Sequence, residues 1–357
     1  MNSTHPRRKT RQVFVGDVPI GGDAPISVQT MTKTKTSDVE ATVAQILRCK
    51  EAGADIVRVT VNDKEAAEAI GDIVKSVNIP IVADIHFNHI FALKSLEAGV
   101  AKVRINPGNI GSKERVKEVL ELAKSKNIPI RIGVNSGSLE KDLLEKYNYP
   151  TAEALYESAM RHVEYAAEFN FEDIVISVKS TSVPLMIAAY RLIAARTDFP
   201  LHLGVTEAGR LRAGTIKSAV GIGTLLAEGI GDTIRVSLTD EPEMEIETGK
   251  EILRTLGMSQ RTVEIISCPT CGRVEVDLFK ITEQLENRLK GINKPVRISV
   301  LGCAVNGPGE ARESDIGIAA GKGTGILYIG GEIVRKIPES EIVDAVYEEV
   351  MKFAPKK

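Results

Sequence analysis

The sequence of 357 residues predicts a (β/α)8 TIM barrel followed by a smaller α/β domain. Between residues 26 and 238, short β-branched runs recur every 22 to 45 residues, and each gap between them has helical periodicity. The length of the chain also favours two domains over one. Eight βα units in series favour a closed barrel, and an open doubly wound sheet is the alternative.

Eight apolar runs supply the predicted barrel strands. Near-continuous apolar character is typical of parallel strands that are covered by helices. The runs are residues 26–31, 55–61, 79–86, 101–106, 128–134, 173–179, 200–205 and 232–238. In the first helical gap, Ser37 and Glu40 have the spacing of a capping box, and Gly53 follows as a C-cap. The longer gap at 135–172 predicts two helices.

The last part of the chain predicts a different architecture. The segment "MEIETGKEILRTLG" supplies a helix that completes a barrel domain at 1–256, and a linker at 257–261 leads to a second domain at 262–357. This domain has predicted strands at "VEIIS", "VRISVLG" and "DIGIAA", a hairpin at "GILYIGGEIVRKI" and a final helix. Gly330 and Gly331 supply the two-residue turn of the hairpin.

The composition argues against several classes of protein. A net charge of -2, 4% aromatic residues and the lack of tryptophan disfavour a nucleic-acid partner. The longest apolar runs are much shorter than a membrane span, and the basic N-terminus lacks the apolar core of a secretory signal. Four cysteines are too few for a disulfide framework in a chain of this length. We therefore expect a cytoplasmic protein with no membrane partner.

Basic residues occur at the predicted carboxyl ends of the strands, where barrels of this type place their chemistry. They are Arg58, Arg104, Arg131, Lys179 and Arg235. Burying cations together is costly unless anions pair with them, and guanidinium groups match phosphate oxygens. The pattern therefore predicts a diphosphate or polyphosphate ligand. The alternative is that each cation pairs with a carboxylate at a strand end or extends to water.

Polar residues without positive charge share the same predicted rim. They are Asp84, His86, Asn106, Asn135, Glu207 and Ser237. Side chains of these types transfer protons or bind substrate hydroxyls. The segment "HFNH" also contains His89, but no carboxylate pattern flanks it, so we do not expect a metal there. Gly209 and Gly214, beside a predicted helix N-terminus, are a weaker signal for phosphate.

Three cysteines are clustered in the second domain. Cys268 and Cys271 form a C-x-x-C in "ISCPTCGR", and Cys303 follows in "LGCAVNGPGE". A closed zinc site needs four protein ligands, whereas all five histidines precede this domain. A 4Fe–4S cluster held by three thiolates leaves one iron for a weaker ligand, and Glu310 is the candidate. Zinc remains the alternative. Cys49 is expected to be a small buried residue.

Several segments resemble one enzyme family. The segments "SCPTCGR", "LGCAVNGPGEA", "ADIVRVTV", "VRINPGNIG", "IRIGVNSGSL" and "GIGTLLAEGIGDTIRVSLT" are similar to those of the bacterial 4-hydroxy-3-methylbut-2-enyl diphosphate synthase family in its two-domain form. The likeness covers essentially the whole chain. It implies reductive ring opening and dehydroxylation of 2-C-methyl-D-erythritol 2,4-cyclodiphosphate in the methylerythritol phosphate route to isoprenoids. It also implies a 4Fe–4S cluster that receives two electrons from ferredoxin or flavodoxin.

The resemblance assigns expected roles to individual residues. The cluster ligands would be Cys268, Cys271, Cys303 and Glu310. Asn135 and Glu207 would contact the reacting hydroxyls, with Glu207 in proton transfer. The substrate-binding residues would be Arg58, Asp84, His86, Arg104, Arg131, Lys179, Arg235 and Ser237. Because the linker is short, the family arrangement implies a homodimer in which each cluster domain caps the barrel of the partner.

Two other functions remain as alternatives. One is a different barrel enzyme, such as an aldolase or a transferase acting on a phosphorylated substrate, with a structural zinc tail; there Lys179 would form a Schiff base. The other is a zinc-ribbon nucleic-acid binder, which the charge and the aromatic content disfavour.

Overall fold

The computed structural model describes residues 6–105, 110, 113–259, 263–292, 294–303 and 305–354. The chain divides into two compact units, residues 1–259 and residues 260–357. The rim residue Asn106 and the predicted linker residues Gln260 and Arg261 lie outside the described residues. In the described part of the chain, no helix is both long enough and apolar enough to cross a membrane.

The first unit starts with a hairpin and continues as alternating strands and helices. Its strands are β1 Gln12–Val15, β2 Val18–Gly21, β3 Ser27–Met31, β4 Ile56–Thr60, β5 Ile81–Ile85, β6 Lys102–Ile105, β7 Ile130–Asn135, β8 Ile174–Lys179, β9 His202–Leu203 and β10 Thr233–Ile234. Its helices are α1 Val39–Glu51, α2 Lys64–Ser76, α3 His89–Glu97, α4 Lys113–Ser125, α5 Lys141–Tyr147, α6 Ala152–Glu168, α7 Val183–Arg196, α8 Leu211–Ala227 and α9 Pro242–Thr255.

Strands β3 to β10 form a parallel barrel. They follow the order β8-β7-β6-β5-β4-β3-β10-β9, and a parallel bridge between Ile176 of β8 and Leu201 joins the two ends of this order. Apolar residues on the outer faces of the strands pack against the helices in one large core. The predicted TIM barrel is therefore confirmed, and the open doubly wound sheet is wrong.

Two predicted local features differ from the structure. Strands β9 and β10 contain only two residues each, because their ladder is limited to the pairs Thr233–His202 and Ile234–Leu203. The capping box at the start of α1 is also wrong. Asp38 is the N-cap, and its carboxylate accepts a hydrogen bond from the Ala41 amide at 3.0 Å, as short acidic side chains do at helix starts.

The N-terminal hairpin supplies an apolar cluster that includes residues of the barrel interior. Strand β1 pairs with β2, and Gly16, at φ +63°, makes the turn between them. Three hairpin residues and three barrel residues form this cluster: Val13, Val15, Ile20, Ile56, Val82 and Val175. The barrel residues of this cluster lie near the amino ends of their strands, whereas the cavity described below lies at the carboxyl ends.

The second unit is a five-stranded mixed sheet with helices. Its strands, in sheet order, are β11 Glu264–Ser267, β12 Arg297–Leu301, β13 Ile316–Gly321, β14 Thr324–Ile329 and β15 Glu332–Pro338. Its helices are α10 Leu278–Leu289, α11 Gly307–Arg312 and α12 Ile342–Lys352. The first three strands are parallel and the last two antiparallel.

Local details of the second unit agree with the sequence in one place and differ in another. Gly330 and Gly331 have φ of +57° and +89°, which confirms the predicted turn between β14 and β15. Helix α11 was not predicted, because its segment "GPGEAR" has the composition of a loop. Pro308 is tolerated there since it lies in the first turn, where its missing N–H has no intrahelical acceptor.

Candidate active site in the barrel mouth

A cavity of about 320 Å³ lies at the carboxyl ends of the barrel strands. Eight of its lining residues were predicted from the sequence: Arg58, Asp84, His86, Arg104, Arg131, Asn135, Lys179 and Arg235. Four were not: Met31, Thr60, Ser177 and Thr206. Two of the missed residues face the barrel interior together with a predicted residue of the same strand. Thr60 follows Arg58 by two positions, and Ser177 precedes Lys179 by two.

Two glycines make room for long cationic side chains inside the barrel. A Cβ atom added to Gly133 would lie 2.6 Å from Arg104 Nε. A Cβ atom added to Gly204 would lie 2.7 Å from both Lys179 Nζ and the carbonyl oxygen of Arg235. One inward position of β7 and one in the segment after β9 therefore lack a side chain where the cations from neighbouring strands extend.

Asp84 contacts two of the cavity arginines. Its carboxylate lies 3.0 Å from Arg104 Nη1 and 3.6 Å from Arg58 Nε, and it is 3% exposed as a residue. Burial alone would raise the pKa of Asp84, but the two arginines hold it well below its ordinary value. Burial lowers the pKa of Arg58 to about 10, against the opposing effect of Asp84. Asp84 thus positions the arginines as their shared counterion.

Arg235 has a carboxylate partner that the sequence did not predict. Glu245 of α9 is buried, and its Oε1 lies 3.2 Å from Arg235 Nη2. In contrast, Arg131 and Lys179 make no ion pair among the described residues. Burial, reinforced by neighbouring cations, lowers the pKa of both side chains well below their ordinary values. A bound anion would reverse this effect and keep both groups charged.

The cavity therefore has an excess of positive charge. Five cations line it, and within the described residues two carboxylates, those of Asp84 and Glu245, form ion pairs with them. The alternative that each cation is paired with a carboxylate is thus not what the described structure shows. Guanidinium and ammonium groups gathered in a concave site suit a ligand with several phosphate oxygens.

A second set of buried polar residues also faces the barrel interior. Lys102 precedes Arg104 by two residues on β6, and its Nζ atom has no hydrogen-bond partner among the described residues. Burial, together with Arg131 and Arg58, lowers the pKa of Lys102 well below its ordinary value. His202 on β9 is also fully buried, and it interacts electrostatically with both Arg131 and Lys102. Burial disfavours the charged form of both side chains, and their polar atoms lack hydrogen-bond partners among the described residues, which costs stability.

Replacing Lys102 by methionine should raise the free energy of unfolding at neutral pH by about 1–4 kcal/mol, because it removes a buried amine that lacks a partner. The unfolded chain binds a proton at Lys102 below its ordinary pKa of 10.5, whereas the folded chain resists it. The advantage of K102M should therefore shrink as the pH rises from 7 towards 10. Denaturant unfolding at several pH values measures this, and a less stable K102M protein at pH 7 would contradict it.

Two predicted rim residues of the described part of the chain do not line the cavity. Glu207 is exposed and has φ of +52°, in the segment between β9 and α8, and Ser237 is half-buried after β10. Neither belongs to the lining, and Asn106 lies outside the described residues. The roles expected for Glu207 and Ser237 stay predictions. His86 does line the cavity; burial lowers its pKa, while Asp84, 3.9 Å from its Nε2, opposes this.

The cysteines of the second unit occur at the carboxyl ends of neighbouring parallel strands. Cys268 follows β11 directly, and its Sγ accepts a hydrogen bond from the Gly302 amide at 3.4 Å. Cys303 follows β12 by two residues and is buried. Backbone N–H groups of residues 306 and 305 lower the pKa of Cys303, and those of Arg273 lower the pKa of Cys271.

The arrangement fits thiolate ligands and leaves the carboxylate ligand untested. Arg273 interacts electrostatically with all three thiols, so the three cysteines share one local environment. Glu310 is exposed, in the first turn of α11, and among the described residues no contact joins it to the thiols. No group of three or more His, Cys, Asp or Glu residues has the spacing of a metal site in the described ranges. Cys49 is fully buried, which confirms the prediction, and burial raises its pKa to about 12.

Comparison with solved structures supports the barrel fold. The chain is similar to the Plasmodium falciparum HPPK-DHPS, with a TM-score of 0.51 and 14% sequence identity. The match covers 70% of this chain and 48% of that one. At this identity the similarity concerns the fold alone.

Sequence comparison identifies the family. Residues 10–250 match the GcpE TIM-barrel domain, and residues 264–352 match the GcpE protein C-terminal domain. The 4-hydroxy-3-methylbut-2-en-1-yl diphosphate synthase (flavodoxin) of Clostridium perfringens is 58% identical, over 95% of this chain and 97% of that protein. The protein of the same name from Geobacillus kaustophilus is 55% identical, over 98% and 93%. The chain therefore belongs to the GcpE family.

Proposed function

We propose that this protein reduces 2-C-methyl-D-erythritol 2,4-cyclodiphosphate to (E)-4-hydroxy-3-methylbut-2-enyl diphosphate. The observation that supports this most is the excess of cations in the barrel mouth, in a chain of the GcpE family. Arg131 and Lys179 have no carboxylate partner among the described residues and would bind the diphosphate directly. Arg58, Arg104 and Arg235 would present donors in orientations held by Asp84 and Glu245.

Other residues would act on the reacting end of the substrate. Two electrons enter, the ring C–O bond to phosphate opens, and one hydroxyl leaves as water, so a proton must reach that hydroxyl. Glu207 would supply the proton, and Asn135, which lines the cavity, would orient a hydroxyl. His86 and Ser237 would add substrate contacts, together with the hydroxyls of Thr60, Ser177 and Thr206 that line the same cavity.

Membership of this family implies a redox-active cofactor, and we propose that it is a 4Fe–4S cluster. Cys268, Cys271 and Cys303 would hold it as thiolates, with Glu310 as an exchangeable carboxylate ligand. When bound, such a cluster supplies electrons one at a time. The named relatives are flavodoxin enzymes, so we propose flavodoxin as the electron donor. Reduced thiols of this kind favour a cytoplasmic location.

The test is turnover by protein purified without oxygen and loaded with iron and sulfide. We expect the cyclodiphosphate to be converted to the allylic diphosphate with a chemical reductant or with reduced flavodoxin, measured by phosphorus NMR. Lack of product from fully loaded protein would reject the proposal. Borohydride trapping of a phosphorylated substrate on Lys179 would instead support the aldolase alternative.

We further propose a homodimer in which the cluster domain of one chain completes the barrel site of the other. Mixing an Arg131→Met chain with a Cys303→Ser chain should then restore activity. Random pairing should give about a quarter of wild-type activity, since half of the dimers are mixed and each has one intact pair of domains. Each variant alone is the control. A mixture as inactive as its components, in dimers shown to exchange, would contradict the arrangement.

A further inference from the structure

Glu245 of α9 is a buried carboxylate beside the barrel mouth that accepts hydrogen bonds from three donors in two other segments. It is 3% exposed as a residue. Its Oε2 accepts from Thr30 Oγ1 at 2.9 Å, and its Oε1 accepts from the Leu238 amide at 3.0 Å and from Arg235 Nη2 at 3.2 Å. Each donor that reaches Glu245 is therefore within good hydrogen-bond distance.

These donors connect the first and the eighth barrel strands. Thr30 belongs to β3, and Arg235 and Leu238 follow β10, its neighbour in the barrel. The Leu238 segment also contacts the residues after β9. Thr239 donates its amide proton to the Gly209 carbonyl at 2.9 Å, and a Cβ atom on Gly214 would lie 2.4 Å from Leu238 Cδ2. One carboxylate thus fixes a mouth segment that is packed against its neighbours.

Only one of the three donors reaches the cavity. Arg235 lines it, whereas Glu245, Thr30 and Leu238 do not. Burying a carboxylate costs free energy of dehydration. An apolar side chain of similar size would pack the helix against the strands without that cost. The feature that an apolar residue could not supply is the orientation of the Arg235 guanidinium.

We infer that Glu245 is a positioning residue for substrate binding. It holds the Arg235 guanidinium toward the diphosphate, and through Leu238 it fixes the backbone next to Ser237. The diphosphate identity of the ligand rests on the proposed function. Because Glu245 acts through Arg235, its loss should weaken binding of the anion more than it slows the later reaction steps.

The test compares Glu245→Gln with Glu247→Gln, an exposed glutamate on the same helix. We expect E245Q to raise KM for the cyclodiphosphate about tenfold, with kcat within about threefold of wild type, and E247Q to change neither. Glu245→Asp should restore part of the loss. The affinity for pyrophosphate, measured by calorimetry, should fall in parallel. In an Arg235→Met background, E245Q should add little, because both changes remove the same interaction.

Thr30→Val separates positioning from packing. It removes one hydrogen bond to Glu245 and leaves the contact with Arg235, so we expect lower thermal stability with unchanged KM and pyrophosphate affinity. Overturning results would be E245Q with wild-type KM and wild-type pyrophosphate affinity, or T30V with losses as large as those of E245Q. If the wild-type enzyme does not convert the cyclodiphosphate, the proposed function fails, and pyrophosphate binding still tests Glu245.

Discussion

Replacing Arg131 by methionine should lower kcat/KM for the cyclodiphosphate by about 10²- to 10³-fold, as expected when one member of a buried, hydrogen-bonded charge pair is removed. Arg131 is 1% exposed and lines the cavity, and its Nε and Nη1 atoms have no hydrogen-bond partner among the described residues. The folded enzyme without ligand should not lose stability, because the variant removes a buried charge that has no carboxylate partner there.

The measurements are steady-state kinetics and the rise in melting temperature caused by pyrophosphate. Arg191→Met is the matched control, because Arg191 is an exposed arginine on α7 that pairs with Glu228 at the surface. We expect the control to keep wild-type kinetics. An R131M enzyme with wild-type kcat/KM would show that the diphosphate binds elsewhere. An unfolded R131M protein would show that Arg131 has a structural role instead.

Replacing Cys303 by serine should abolish cluster binding and lower turnover by more than about 100-fold, since even changes to residues behind metal ligands cost up to that much. Anaerobically prepared wild-type protein should contain about four iron and four sulfide per chain. The serine variant should contain much less of both. The fold should persist, because Cys303 lies beyond the end of β12 and outside the main core of the second unit.

The control for this experiment is Cys49→Ala. Cys49 is a buried residue of α1 in the barrel core, so its variant should keep wild-type iron and sulfide. Iron and sulfide unchanged in C303S would remove Cys303 from the ligand set. One tightly bound zinc per wild-type chain, without sulfide, would support the structural zinc alternative.

Strand periodicity makes much of the barrel site predictable. Side chains alternate between the two faces of a strand, so Arg58, Arg131 and Lys179 were expected to face one cavity from the carboxyl ends of their strands. All three face it, although Arg131 is the second residue of β7 and not at its carboxyl end. The same rule would have found Lys102, two residues before Arg104, had it been applied along the whole strand. The glycine pair of the β14–β15 turn was equally predictable, because a two-residue hairpin turn needs positive φ.

Other features depend on contacts that no local pattern contains. Glu245 meets Thr30 across 215 residues, and Asp84 meets Arg104 across 20. The first pair forms because barrel closure brings the first strand beside the eighth, and the second because Asp84 and Arg104 are register partners on the adjacent strands β5 and β6. The short lengths of β9 and β10 and the start of α1 at Asp38 are likewise decided by hydrogen bonds in the folded chain.

The sequence alone therefore determined the order of the barrel strands, the inward-facing cations and the three clustered thiols, because these follow from periodicity and spacing along the chain. The tertiary structure alone decided how the charges are paired. Asp84 pairs with two arginines, and Glu245 pairs with Arg235. Within the described residues, Arg131 and Lys179 have no carboxylate partner. The physical reason is that an ion pair depends on distances of a few ångströms between strands and helices, which chain closure sets and local sequence does not.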